Sequence, residues 1–279
     1  MKVTVVMDNL APNGSKQHFL AEHGLSLLLE TDSQARLLLD AGQSAAVLNN
    51  LHLLEVAPAS IEAIMLSHGH YDHAGGLYPL LKEANEKIPL YAHPGIFASR
   101  FAVSAGVKKY IGVPYRQEQL ASLGAEWRFV DAPMQLEPGL WLSGPVPRIT
   151  EYELGDTRFA IEENDGVFRP DGIDDDMSIY HVRGNELVVI GGCAHSGLVN
   201  TVRHGFAVTG ATRLAGWIGG THLGPVGEEQ QQKTIAALQA WQPDFVAANH
   251  CTGFNMMAVL RGKFGAKFIP ASIGTVIEW

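Results

Sequence analysis

In the stretch SHGHYDHAGGL, Ser67 to Leu77, four metal-capable side chains fall within six residues: His68, His70, Asp72 and His73. An apolar run, Ile61 to Leu66, leads in, and Gly75, Gly76 and a helical pattern lead out. The stretch therefore asks for a strand that delivers it and a helix that carries the chain away. Alternate residues of an extended chain point the same way, so His68 and His70 can reach one point. The turn into the helix lets Asp72 and His73 aim at a second point nearby. Neutral imidazole and carboxylate suit zinc, manganese or iron, with zinc bonds of about 2.0–2.2 Å. A solvated polar loop with chance histidines is the bland alternative. The H-x-H-x-D-H spacing and further histidines downstream argue against it.

Those further histidines stand at the ends of expected strands. Lys2 to Met7 reads as a first strand, and Leu25 to Leu29 and Ala35 to Leu39 as a pair joined at Asp32-Ser33. Asp40 closes that pair, and a carboxylate there can accept from loop amides or orient a ligand histidine from behind. Ser44 to Leu54 and Leu77 to Ala84 have helical spacing, and Pro89 to Ala92 is a strand. His93, in the loop after it, reads as solvated or capping before catalytic. Met177 to Val182 and Glu186 to Ile190 form a hairpin whose second strand runs into GGCAHSG, with His195. Leu214 to Ile218 ends in GGTHLG, with His222, and Phe245 to Ala248 ends in NHCTG, with His250. Helices are expected from near Gly197, over Glu228 to Trp241 and over Met256 to Arg261, with edge strands at Phe268-Ile269 and Thr275 to Ile277. Repeated strand, loop and helix is an α/β pattern, and loops at strand ends are where such folds build sites.

Residues 144–176 depart from this pattern. They are rich in Pro, Gly, Asp and Glu, which leads us to expect a long functional loop or lid. The segment ends in Asp174, Asp175 and Asp176. Two readings stay open there: a solvated turn, or a carboxylate near the metals acting as acid, base or anchor.

Composition excludes several classes. With 279 residues, 46% hydrophobic and 18% charged, a sizeable core is expected in one large domain or two small ones, and the lack of a linker favours one. A net charge of -9 argues against a nucleic-acid-binding surface. Cys193 and Cys251 make no disulfide framework, so a reducing cytoplasm is expected. No run is long enough to span a membrane, and the start does not read as a secretion signal.

H-x-H-x-D-H after an apolar strand resembles the metallo-β-lactamase superfamily, over nearly the whole chain. The resemblance implies a four-layer αββα sandwich spanning residues 1–279. It assigns His68, His70 and His195 to a first metal, and Asp72, His73 and His250 to a second. One or two divalent ions follow, zinc first, with manganese or iron as alternatives. Three ligands with one open position make a catalytic metal site. Two metals about 3.5–4 Å apart can share a hydroxide and clamp an oxyanion. One departure matters: the superfamily usually keeps a bridging Asp where this chain has Thr221-His222, and no Asp stands between Asp176 and Asp244. Imidazole is a poor bridge, so unequal metal sites are expected, with His222 a ligand or a substrate contact.

EHGLS, SHGHYDHAGGL, DDDMS, GCAHSGLVNT, GGTHL and NHCTG together resemble one branch, which includes the archaeal dihydropterin–ribofuranosylaminobenzene phosphate synthases. That branch implies Glu22, His23 and Asp176 near the site, and catalytic roles fall to Asp72, His222, Asp176 and His23. The expected protein is a metal-dependent hydrolase or transferase acting on a phosphorylated or anionic small molecule, with no nucleic-acid or membrane partner. Alternatives are a dihydropterin-type condensing synthase releasing diphosphate, a lactonase or thioesterase, and a non-catalytic metal sensor. Oligomeric state is not legible.

Overall fold

Short continuous apolar runs build the two large sheets. The computed structural model describes residues 1–12, 17–163 and 166–279. In chain order the strands are Lys2–Met7 (β1), Ser26–Glu30 (β2), Arg36–Leu39 (β3), Ala63–Met65 (β4), Ile88–Ala92 (β5), Ser99–Ser104 (β6), Val107–Tyr110 (β7), Ala125–Phe129 (β8), Met134–Glu137 (β9), Leu140–Leu142 (β10), Phe159–Glu162 (β11), Phe168–Pro170 (β12), Ser178–Arg183 (β13), Glu186–Gly191 (β14), Arg213–Gly220 (β15), Phe245–Asn249 (β16), Phe268–Pro270 (β17) and Val276–Glu278 (β18). The α-helices are Ala46–Leu53 (α1), Tyr71–Ala74 (α2), Leu77–Ala84 (α3), Gln117–Ser122 (α4), Leu198–Thr209 (α5), Glu228–Trp241 (α6) and Phe254–Phe264 (α7). The α/β class expected from the sequence is the one observed.

The residues cluster into two compact units, each with its own large sheet and core. Unit one comprises 1–129, 158–171 and 272–279, and unit two 130–157 and 172–271. Unit one holds a seven-stranded sheet in the order β18-β1-β2-β3-β4-β5-β8. Its first strands pair antiparallel, and β3, β4, β5 and β8 pair parallel, because helical connections return the chain to the same edge. Leu28, Leu38, Ile64 and Leu90 form one row across it and pack with Val47 and Leu51 of α1 and Leu77, Leu80 and Leu81 of α3. On the opposite face Val5, Leu27 and Leu39 are equally buried. A sheet buried on both faces explains why its strands read as continuous apolar runs.

Unit two repeats the scheme with the order β17-β16-β15-β14-β13-β10-β9. Here β14, β15, β16 and β17 are parallel. Val189, Trp217 and Val246 pack with Leu198 and Val202 of α5, Leu238 of α6 and Leu260 of α7. Ile179, Ile190, Ile218 and Ala247 form the other buried face. The strands expected at Phe268 and near Thr275 are edge strands, one in each sheet.

Residues 144–176 hold regular structure. Within them β11 and β12 form a hairpin that joins β6 and β7 in a four-stranded sheet of unit one. Asn164 and Asp165 lie outside the described residues. The strands are three and four residues long, too short to show a clear period in a polar segment. Among the described residues no helix is long and apolar enough to cross a membrane.

Glu153, in the same segment, caps α5. Its Oε1 accepts the Val199 N–H at 2.9 Å and its Oε2 the Asn200 N–H at 2.8 Å, and Thr150 Oγ1 donates to Oε2 at 3.1 Å. A carboxylate at the positive end of a helix satisfies two donors that would otherwise be orphaned. Burial pushes its pKa up, and these hydrogen bonds pull it back. Glu153→Ala should lower unfolding free energy by about 1–2 kcal/mol, read from urea denaturation. An unchanged midpoint would show that the cap contributes nothing.

Candidate metal centre

Asp40 organises the histidine cluster of unit one. It follows β3 in a left-handed conformation, φ 60°, and is fully buried. Its Oδ1 accepts the Ser67 N–H at 2.8 Å, its Oδ2 accepts the Ser67 hydroxyl at 2.7 Å, and Oδ2 lies 2.6 Å from His73 Nδ1. An ionised carboxylate only accepts, so Ser67 gives its proton to Asp40 and its oxygen accepts from His68 Nδ1, 2.9 Å away. His73 likewise donates from Nδ1. Both rings therefore carry their proton on Nδ1 and keep the Nε2 lone pair available, the usual way a partner behind a ligand sets its tautomer. His68 Nε2 stands 2.9 Å from His70 Nδ1, so a proton or a cation must sit between the two nitrogens. Asp72 Oδ2 is 3.7 Å from His73 Nε2 and 3.2 Å from Nε2 of the half-exposed His23. Glu22 accepts from the Gln43 and Ser44 N–H groups and braces the loop after Asp40.

Two residues invisible to the sequence reading support the His68–His70 turn. Arg100 is buried, and its Nε donates to Asp171 Oδ2 at 3.0 Å. A Cβ added to Gly69 would lie 2.1 Å from the Ile96 carbonyl oxygen and 2.3 Å from Arg100 Nη1, so only glycine fits between the two histidines. Phe159 of β11 packs edgewise on His70, ring centroids 5.2 Å apart. Part of the expected lid thus buttresses the motif. His93 accepts the Gly95 N–H through Nδ1 at 3.0 Å, the capping role expected for it.

In unit two, parallel β14, β15 and β16 lie side by side with Gly191 opposite Gly219 and Gly220 opposite Asn249. Their ends are level, and the histidines beyond them gather. After each strand one residue is left-handed without being glycine: Ala194 (φ 55°), His222 (φ 47°) and His250 (φ 50°). Such conformations cost of order 1–3 kcal/mol each and cluster at functional sites. The His195 and His222 rings are 4.2 Å apart. The ligand atoms of Cys193, His195 and His222 lie within 4.8 Å of one another. His222 Nε2 is 3.8 Å from Asp156 Oδ2. Burial alone would lower the His222 pKa, but the Asp156 carboxylate and the Cys251 sulfur outweigh it and raise it to about 9. Asp156 lies in the 144–176 segment, whose polarity was the one signal for it.

The acidic triplet divides. Asp174 is exposed, 3.7 Å from Arg148, whereas Asp175 and Asp176 are buried. Asp176 Oδ2 accepts the Ser196 N–H at 2.8 Å, and Arg148 donates to the His195 carbonyl at 3.1 Å. Both hold the loop that carries His195. The two donor sets, imidazoles with fixed tautomers beside a buried carboxylate and imidazoles beside a thiol, suit a divalent cation.

Residues 21–132 match the family model of the metallo-β-lactamase superfamily. The chain is 30% identical, over 95% of its length and 93% of the relative's, to the 7,8-dihydropterin-6-methyl-4-(β-D-ribofuranosyl)-aminobenzene-5′-phosphate synthase of Methanocaldococcus jannaschii. Among solved structures it is similar to a metal-dependent hydrolase of the β-lactamase superfamily, with TM-score 0.84 and 25% identity over 100% of this chain and 99% of that one. Zinc-bound PqqB from Methylobacterium extorquens shares the fold at TM-score 0.56 and 16% identity, covering all of both chains.

Asp40→Ala should destabilise the protein by about 3 kcal/mol, because it strands buried donors of Ser67 and His73. A change under about 1 kcal/mol in urea unfolding would contradict this. Asp176 yields a pH dependence. Burial raises its carboxyl to about 6 from an ordinary 3.8, against the Ser196 hydrogen bonds and the Arg148 charge that lower it. Between those values the folded chain holds a proton that the unfolded chain has released, so stability is lost as pH rises through that window. In metal-free protein, Asp176→Asn should flatten this fall. An identical pH profile for the variant would show that Asp176 does not cause it.

Proposed function

The chain belongs to the metallo-β-lactamase superfamily, and on that premise we propose that it is a metal-dependent hydrolase or transferase acting on a phosphorylated or otherwise anionic small molecule. The observation that carries this reading is the Asp40–Ser67–His68 and Asp40–His73 network, which holds imidazole lone pairs ready for a cation. A network serving only stability has no need to fix two tautomers alike.

In this reading His68, His70 and His195 hold a first ion, and Asp72, His73 and His250 a second. Zinc is the preferred ion, and manganese or iron would also suit these donors. Bound ions would polarise an anionic oxygen of the substrate and lower the pKa of bound water. The chain's own groups do the rest. Asp40 keeps the protons of His68 and His73 on Nδ1. His23, half exposed and 3.2 Å from Asp72, is placed to hold or pass a proton at its Nε2. His222, beside His195 and within reach of Asp156, supplies a positive charge for an anionic substrate when no ion claims its nitrogen. Asp176 acts through Ser196 on the loop bearing His195, which makes it a positioning residue. The net charge of -9 supports a small substrate over nucleic acid, and two cysteines without a disulfide fit a reducing cytoplasm.

A second reading rests on the full-length likeness to the Methanocaldococcus jannaschii synthase. In it the same site joins a pterin-methyl diphosphate to an arylamine and releases diphosphate, so the nucleophile is an amine in place of water. Product analysis with and without an arylamine separates the two.

His68→Ala and His195→Ala should each lower metal per chain and cut turnover of a generic phosphodiester by more than the roughly 10- to 100-fold that partners behind the ligands cost. His222→Ala should reduce turnover while the His68, His70 and His195 ion stays bound. Full metal content and normal turnover in the first two variants would rule the assignment out.

A further inference from the structure

Two thiols lie among the histidines of unit two, and the function proposed above uses neither. Cys193 stands two residues beyond β14, and Cys251 two residues beyond β16. They form no disulfide. One ligand atom from each of Cys193, His250 and Cys251 falls within 4.8 Å of the other two, close enough for all three to bind one ion. Cys251 Sγ accepts the His222 backbone N–H at 3.2 Å and donates to the Cys193 carbonyl at 3.5 Å, so two backbone contacts hold the sulfur in place. The surroundings are shaped for that sulfur. A Cβ added to Gly220 would lie 2.6 Å from Cys251 Sγ and 3.3 Å from Cys193 Cα, so β15 ends in a glycine where the sulfur needs the space. The residue before Cys251 and the residue after Cys193 are the left-handed His250 and Ala194, so the backbone is held under strain beside both thiols.

We propose that Cys193, His250 and Cys251 form a thiolate-bearing cation site that takes a thiophilic divalent ion, zinc in the native protein and cadmium or cobalt as probes. The inference rests on the metal reading above for His250, which here serves the thiolate site in place of the Asp72 and His73 ion. It answers the lack of a carboxylate at Thr221-His222: two thiolates supply the negative charge that a neutral imidazole cannot. Binding is balanced by release of the two thiol protons to solvent as the sulfur–metal bonds form. Soft donors also discriminate, so this site selects zinc over manganese, which prefers oxygen ligands.

The test uses the metal-free full-length chain titrated with cobalt(II), with the near-ultraviolet spectrum and metal per chain read together. Thiolate ligands give a sulfur-to-cobalt charge-transfer band that imidazole and carboxylate do not. We expect the band in wild type and in His68→Ala, where the other histidine set is broken. We expect it to weaken in Cys193→Ser and in Cys251→Ser and to vanish in the double variant, with cadmium affinity falling at least about tenfold. Cadmium should also protect both thiols of the wild type from alkylation, a readout that needs no variant to fold. Cobalt bound to wild type without the band, and thiols alkylated as fast with cadmium as without, would overturn the thiolate site while leaving the histidine assignment standing. No cobalt bound at all would overturn both.

Discussion

One buried carboxylate sets the terms for the histidine cluster of unit one. Asp40 has no solvent to stabilise its charge, so it must be met by donors from the protein. The Ser67 amide, the Ser67 hydroxyl and the His73 ring meet it. Each is thereby fixed in position, and the hydroxyl passes the constraint on to His68. The strand end, the turn and the start of α2 are tied to a single group. The left-handed backbone at Asp40 is strain that those hydrogen bonds over-determine, and no propensity of the local sequence would hold it.

Unit two solves the same problem without such a hub. Three level strand ends present their loops side by side, and the restraint comes from partners far along the chain. Glu153 holds the first turn of α5, Asp176 holds Ser196, and Arg148 holds the His195 carbonyl. All three come from the polar stretch at 144–176 or its edge. Further along that stretch, Asp171 and Phe159 steady the histidine turn of unit one.

What the amino-acid sequence disclosed follows from the range of the interactions. The strand ahead of Ser67, the helix after Gly76 and the histidines at the ends of β14, β15 and β16 were legible because apolar period and motif spacing are local signals. The capping role of His93 was legible for the same reason, its partner being two residues away. Arg100 and Asp171 were not, since each is an ordinary charged residue until the other, 71 positions away, arrives beside it. Asp156 and Glu153 escaped notice similarly, as acidic residues among many.

The pairing of β18 with β1 bears on how the molecule comes into being. Val3 is made long before its strand neighbour Ile277, which follows only after both large sheets have otherwise been synthesised. Until then one flank of β1 offers bare amide and carbonyl groups next to Val3 and Val5, which are the kind of edge that recruits other chains. Contacts this distant in sequence also slow folding. A nascent chain of this protein therefore carries β1 unpaired along that flank until β18 is made, and any chaperone that shelters it has a long task there.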